Sequence, residues 1–278
     1  MTEIKPGFYR MSNLEYHRGP GVSKSTLWTF YTYSPLHSQV PVEITPAMEF
    51  GTMLHDACED PDAFEGTYVI QPDDCRPGSG AGMKARKEAF EASVAANNQT
   101  VIKQEDYDAI RGMVASIHGN QDCIELLTGE GEHELSGYWI HPDTEVLCKC
   151  RPDFINKDKR IVVDFKSCTD ARPGPFYNHA WSMGYGFQAA WYLYGISQIT
   201  GVPHNKFYLV AVERKSPFGV QAHPVWQEVI DYWLSKLTWI LTRYKECLDS
   251  EVWPSYESQS PGLGLSPWEK RELEFDNY

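Results

Sequence analysis

Over the first part of the chain, apolar positions recur at helical spacing. An apolar-periodic run follows Ser23 in Ser23-Lys24-Ser25-Thr26-Leu27-Trp28, and the Ser23 hydroxyl suits an N-cap. A second run follows Thr45-Pro46, with Thr as N-cap and Pro at the first helical position. It stops before Pro61 and gathers Phe50, Leu54, Ala57 and Cys58 on one face. His55 lies beside that face, and Gly51, one turn earlier, is expected to leave room next to the imidazole. Residues 71–82 are rich in Gly and Pro and read as a loop. Those glycines are not followed by the Lys-Ser/Thr of a phosphate-binding loop. Helical spacing returns over residues 83–96, 104–118 and 122–127.

The period then falls to two. Residues 134–140, 146–155 and 161–167 read as strands, separated by the polar turns His141-Pro142-Asp143-Thr144 and Asn156-Lys157-Asp158-Lys159. Connections this short predict an antiparallel meander. A long helix is expected over 176–199, a strand over 206–213, and an amphipathic helix over 223–248 with Trp226, Ile230, Trp233, Leu237, Ile240 and Leu241 on its face. Helices, three strands, helix, strand, helix is the order of an α/β or α+β domain around a central mixed sheet flanked by helices. The length suits one domain over 1–278: a mostly helical part over 1–130, a core over 131–248 and an irregular tail over 249–278.

Composition supports a packed core: 42% of residues are hydrophobic, with 9 Trp, 12 Phe and 16 Tyr. Trp181, Trp191 and Tyr194 read as part of it. No apolar run approaches the roughly 20 residues of a membrane helix, and the first residues lack the apolar stretch of a secretory signal, so a cytoplasmic protein is expected. The 7 cysteines, an odd number, read as reduced thiols. Cys148 and Cys150 share a strand face but have no second C-x-x-C pair, which favours packed thiols over a metal site. A net charge of -13 argues against non-specific nucleic-acid binding. Locally the balance reverses: Lys149, Arg151, Lys157, Lys159, Arg160, Lys166 and Arg172 face only Asp153, Asp158, Asp164 and Asp170.

That basic stretch also holds the candidate chemistry. Asp153 ends one expected strand, and Asp164 and Lys166 point to one face of the next. Pairing through the Asn156–Lys159 turn would bring two carboxylates and an ammonium into one cluster. Neighbouring carboxylates repel unless a proton or cation lies between them. Hard oxygen ligands, with the Phe165 carbonyl as a further donor, suit Mg²⁺ or Mn²⁺. Such an ion polarises a phosphate and activates water, and Lys166 could stabilise the developing charge. A lone Asp-x-Lys is most often a surface ion pair; the apolar Ile161-Val162-Val163 start and the preceding Asp153 make that reading weaker here.

These residues carry a resemblance. Pro152-Asp153, Asp164-Phe165-Lys166 and Gln188-x-x-x-Tyr192 resemble the RecB-like branch of the PD-(D/E)XK nucleases. More closely, the chain resembles the phage and prophage RecE type (exonuclease VIII). The likeness extends to Ser23-Lys24-Ser25, Tyr33-Ser34-Pro35, Phe50-Gly51-Thr52-Met53-Leu54-His55, Cys150-Arg151-Pro152-Asp153, Trp253-Pro254-Ser255-Tyr256 and Pro267-Trp268. It implies a PD-(D/E)XK core in αβββαβ order, with His55, Asp153, Asp164 and the Phe165 carbonyl holding the metal and Lys166 as the catalytic lysine. Gln188 and Tyr192 would order the site or contact DNA, Glu134 would match the acid of the first strand, and Ser23, Lys24, Ser25 and Arg151 would contact DNA. It further implies a ring-shaped homo-oligomer (trimer or tetramer) that digests double-stranded DNA from its ends, 5′ to 3′, for a single-strand annealing partner. The rival readings are a RecB-like enzyme acting on single strands or internally, a non-catalytic DNA-end-binding module, and a metallohydrolase unrelated to nucleic acids.

Overall fold

The computed structural model describes residues 4–75 and 81–256; Pro267-Trp268 and residues 76–80 of the expected loop lie outside them. In chain order the elements are β1 (Gly7–Tyr9), α1 (Asn13–Arg18), α2 (Lys24–Thr32), α3 (Pro46–Glu59), α4 (Pro61–Thr67), β2 (Tyr68–Ile70), α5 (Ala81–Ala96), β3 (Thr100–Ile102), α6 (Gln104–Gly119) and α7 (Gln121–Leu127). The second half contains β4 (Gly131–His133), β5 (Ser136–Ile140), β6 (Leu147–Cys150), β7 (Phe154–Asn156), β8 (Ile161–Cys168), α8 (Pro173–Ser182), α9 (Tyr185–Thr200), β9 (Lys206–Glu213), β10 (Val220–Val225) and α10 (Gln227–Ser250). The helix starts follow local chemistry. Ser23 accepts from the Thr26 N–H, and Thr45 accepts from the Met48 N–H ahead of Pro46 at the first turn of α3.

The mixed α/β architecture is as expected, but the meander is not one sheet. Residues 146–155 break at Arg151-Pro152-Asp153, where Pro152 has no N–H to continue a ladder. Before the break, β6 pairs with β5 in a sheet of order β1-β5-β6; after it, β7 pairs with β8 in a sheet of order β10-β9-β8-β7-β4. The expected strand 134–140 is likewise divided: Glu134 takes a left-handed conformation (φ 48) between β4 and β5. The expected helix 176–199 is two helices, because Gly184 adopts φ 66 between them. The Trp28 ring packs 2.5 Å from where a Cβ on Gly184 would stand, so no other residue fits there without displacement. The expected start of the last helix is also corrected. His223 to Val225 belong to β10, which pairs antiparallel with β9, and Pro224 is tolerated because β10 is an edge strand. The short strands β1, β2 and β3 carry too few residues for a periodic signal.

Strand β8 is the axis of the fold. It runs antiparallel to β7 and parallel to β9, and α8 and α9 supply the crossover that a parallel neighbour needs. Its side chains alternate between two cores. Val162 and Cys168 join α2, α8, α9 and α10 on one face, while Val163 and Phe165 join α3, α4, α6 and α7 on the other. Asp164 and Lys166 occupy the first of these faces, which otherwise is apolar. Cys148 and Cys150 are buried in that same core, as packed thiols. Trp191 is fully buried, as expected, whereas Trp181 is 53% exposed on α8, a correction to its reading as core.

Candidate active site

Register brings the two acids together. Phe154 pairs with Val163, so Asp153, one residue earlier, comes level with Asp164 on β8. Asp153 Oδ2 accepts the Phe165 N–H at 2.6 Å. Asp164 forms an ion pair with the Lys166 ammonium, and its Oδ1 accepts from Gln188 Nε2 at 2.6 Å. Both carboxylates are almost fully buried, Asp153 at 5% and Asp164 at 1% exposure.

The helix histidine arrives from the opposite layer. His55 Nε2 lies 3.3 Å from Asp153 Oδ2 and 3.2 Å from the Phe165 carbonyl oxygen, and Nδ1 lies 3.5 Å from Glu134 Oε1. Space beside Gly51 does not explain this position: a Cβ there would meet nothing within 4 Å, which corrects the sequence expectation. Glu134 is presented by its left-handed backbone, and its N–H donates to the Asp153 carbonyl at 3.1 Å. Arg151 Nε holds Glu134 Oε2 at 2.5 Å, while Nη1 donates to the Met11 carbonyl and the Ser136 hydroxyl. The Arg151 guanidinium is thus engaged within the fold.

Burial sets the electrostatics. Burial, then the Asp164 charge, lifts the Asp153 carboxyl well above its ordinary value, against the pull of Lys166, the Phe165 N–H and Arg151. Burial, then Asp153, pushes Glu134 up to about 7, opposed by His55 and Arg151. Burial alone would depress Lys166, but Asp164, Asp153 and Tyr185 together outweigh it and hold the ammonium above its usual range. Perturbation of this kind, concentrated on one cluster, is typical of functional sites.

His55, Glu134 and Asp153 offer three ligand atoms within 4.8 Å of one another. Glu134 Oε1 is buried without a hydrogen-bond partner, and the His55 Nε2 contacts are too long to be strong charge-assisted bonds. Two crowded carboxylates, an imidazole and a carbonyl fit a hard divalent cation, which would offset the burial and the mutual repulsion that raise the carboxyl values. Asp164, expected as a ligand, accepts from Gln188 through Oδ1 and is ion-paired with Lys166, while its buried Oδ2, like Glu134 Oε1, has no hydrogen-bond partner.

The remaining expected residues surround this centre. Tyr192, one turn beyond Gln188, packs on the Phe207 ring at 6.3 Å; burial, then Tyr16, Asp164 and Asp153, raise its phenol. Ser23 caps α2, and Ser25 is exposed. Lys24 donates to the Met183 carbonyl at 2.8 Å; burial, then Lys166, bring its ammonium down to about 7, opposed by Asp164. Sequence reasoning overlooked Tyr185, whose ring lies 4.9 Å from Lys166 Nζ. Gly184 was the available signal: a helix that restarts there turns Tyr185 inward. A polar cleft of about 480 Å³, which none of these site residues lines, lies along α3, α4 and β4 and includes Arg10, Asp56, Glu59, Asp60, Glu132 and His133.

A mixed sheet that sets Asp153 against Asp164-x-Lys166, with a helix histidine closing the cluster, defines a PD-(D/E)XK-type domain, an architecture of nucleases that use divalent metals. The chain belongs to the family described as PDDEXK-like domain of unknown function (DUF3799), whose pattern matches residues 31–260. Its fold is similar to the crystal structure of a putative exonuclease from Eubacterium rectale, with a TM-score of 0.60 at 12% identity over 95% of this chain and 98% of that one. SSO0001 aligns with a TM-score of only 0.30, at 17% identity over 84% of this chain and 96% of that one, too low to bear on the fold. No curated protein matches in sequence. No helix among the described residues is long and apolar enough to cross a membrane.

Proposed function

We propose that this protein is a metal-dependent exonuclease that degrades linear double-stranded DNA, 5′ to 3′, and leaves 3′ single-stranded tails for a single-strand annealing protein. The observation that carries the reading is the convergence of Asp153, Asp164, Lys166, Gln188, Glu134 and His55 around two buried carboxylates. His55, Asp153, the Phe165 carbonyl and either Glu134 or Asp164 would hold the ion, Mg²⁺ or Mn²⁺. When bound, that ion supplies Lewis acidity and a water of lowered pKa.

The chain's own groups do the rest. Lys166, kept charged by Asp164, donates to a phosphate oxygen as negative charge develops there. Gln188 holds Asp164, and thereby Lys166, in one orientation. Arg151 fixes the Glu134 carboxylate, whose Oε1 stays free of hydrogen bonds 3.5 Å from His55 Nδ1. Tyr192 closes the floor of the site. Ser23, Lys24 and Ser25, at the start of α2, take a terminal phosphate. In this reading the protein works in the cytoplasm of a bacterial host as a ring-shaped homo-oligomer, a trimer or tetramer, that admits duplex ends and retains the product strand.

The test is purified protein with Mg²⁺ on end-labelled linear duplex and on covalently closed circles. Linear duplex should shorten from its 5′ termini, and circles should persist. Cutting of circles would favour an internal or single-strand-preferring nuclease. Tight DNA-end binding without hydrolysis in Mg²⁺, Mn²⁺ or Ca²⁺ would favour a non-catalytic module.

A further inference from the structure

Charge is segregated between the two helix layers. The chain has 38 acidic against 25 basic residues, yet α2, α8 and α9 contain no acid. In α10 the acids Glu228, Asp231, Glu246 and Asp249 stand toward the ends, and from Tyr232 to Lys245 there are only Lys236, Arg243 and Lys245. The cleft along α3, α4 and β4, by contrast, sets Asp56, Glu59, Asp60 and Glu132 against Arg10 alone and is net acidic, which disfavours a phosphate chain.

Exposed rings gather along the middle of α10, between its acidic ends. Trp239 is 57% exposed and Tyr232 49%, and neither belongs to either core. Tyr232, Lys236, Trp239 and Arg243 fall at i, i+4, i+7 and i+11, which puts them on one stripe of α10. Lys236 Nζ lies 4.9 Å from the Tyr232 ring and 5.9 Å from that of Tyr31, and the Arg243 guanidinium lies 5.7 Å from Trp239. Glu246, 3.7 Å from Arg243, forms an exposed pair that contributes little, and Asp231 accepts from Gln227.

The stripe is connected to the active site. Tyr31 is 6.4 Å from Trp28 on α2, Lys24 Nζ is 5.7 Å from Trp28 and 5.8 Å from Tyr185, and Tyr185 is the ring beneath Lys166. A series of ring and cation contacts therefore runs from the catalytic lysine across α2 to the outer face of α10.

We propose that this stripe is a binding surface for single-stranded DNA, continuous with the active site; the proposal rests on the nuclease reading and specifies where an unpaired strand lies. Rings on the stripe stack on exposed bases, and Lys236 and Arg243 neutralise the phosphates between them. A duplex buries its base faces and gains only the charge contacts, so the surface prefers single strands. Cations interleaved with the rings disfavour a purely apolar partner.

The experiment uses the full chain in chelator, so that no cutting occurs, and reads fluorescence anisotropy of a labelled oligothymidylate of about 16 nucleotides. Trp239→Ala should weaken binding about tenfold, Trp239→Phe should restore most of it, and Lys236→Gln should weaken binding and reduce the salt slope by about one. Wild-type affinity in Trp239→Ala overturns the proposal. So does a loss of affinity that appears only together with a changed oligomeric state in sedimentation, which would make the stripe a subunit interface. Since binding is read without hydrolysis, a chain that binds through the stripe and never cuts DNA would refute the nuclease reading alone.

Discussion

Two strand lysines, Lys149 buried and Lys166 half-buried, behave oppositely. Lys149 on β6 is 5% exposed and donates to the carbonyls of Tyr16 and Gly19 at 2.8 and 2.7 Å, closing the end of α1. Its partners are neutral dipoles, and burial brings its ammonium down to about 8. Lys166 on β8 faces Asp164 and Asp153, and its charge is reinforced despite burial. Full-charge partners reverse the effect of desolvation, whereas carbonyls only soften it. One lysine therefore holds the chain in place, and the other keeps its charge beside two carboxylates; in the proposed function that charge meets a phosphate.

The comparison is broken most severely at Lys166. Lys166→Ala should lower the DNA-cleavage rate about 10²- to 10³-fold while the protein remains folded by circular dichroism; equal rates would remove the lysine from the chemistry. Lys149→Met should do the reverse. Leaving two carbonyls without their donor costs on the order of 3 kcal/mol of stability in urea unfolding, and cleavage by the folded fraction should persist.

A third substitution asks how far packing around β5 and β6 tolerates change. A Cβ on Gly195 would stand 2.4 Å from the Trp139 ring in the core beneath these strands. Gly195→Ala should cost about 2 kcal/mol, read by the same unfolding titration, and a neutral result would mean the ring can move.

The smallest effects are in pH. Lys149 has a folded value near 8, below its ordinary 10.5, so the unfolded chain binds more protons between these values and stability gains from Lys149 as pH rises through that window. Glu134 has a folded value near 7, above its ordinary 4.5, so the folded chain binds more protons and its contribution is lost as pH rises from about 4.5 to 7. Subtracting the pH profile of Glu134→Gln from that of the wild type should show a fall over the acid window, and subtracting that of Lys149→Met should show a rise over the alkaline one. Matching profiles at either position would dissolve the contrast.

Much of the site was legible because its spacing is local. Asp153 and Asp164 flank a short polar turn, and a hairpin between adjacent strands leaves little freedom in register. Gln188 came in only with the family resemblance, because its i,i+4 spacing to Tyr192 is by itself ordinary, whereas the caps at Ser23 and Thr45 follow from side-chain chemistry alone. What escaped depended on single backbone residues or distant partners. The sheet switch at Pro152, the left-handed Glu134, the helix break at Gly184 and the edge strand at His223 each interrupt a pattern that periodicity would extend. Tyr185 was missed as a direct result of one of them.

The linear chain thus determined which residue types were available, how they alternate and which near neighbours must pair. Only the tertiary structure decided that His55, 110 residues before Phe165, meets its carbonyl, that Arg151 turns inward to Glu134, and that Lys149 and Lys166 acquire opposite surroundings. The physical reason is that burial and the sign of nearby charges are properties of a place in the fold, and two identical side chains acquire different chemistry once their neighbours from other elements differ.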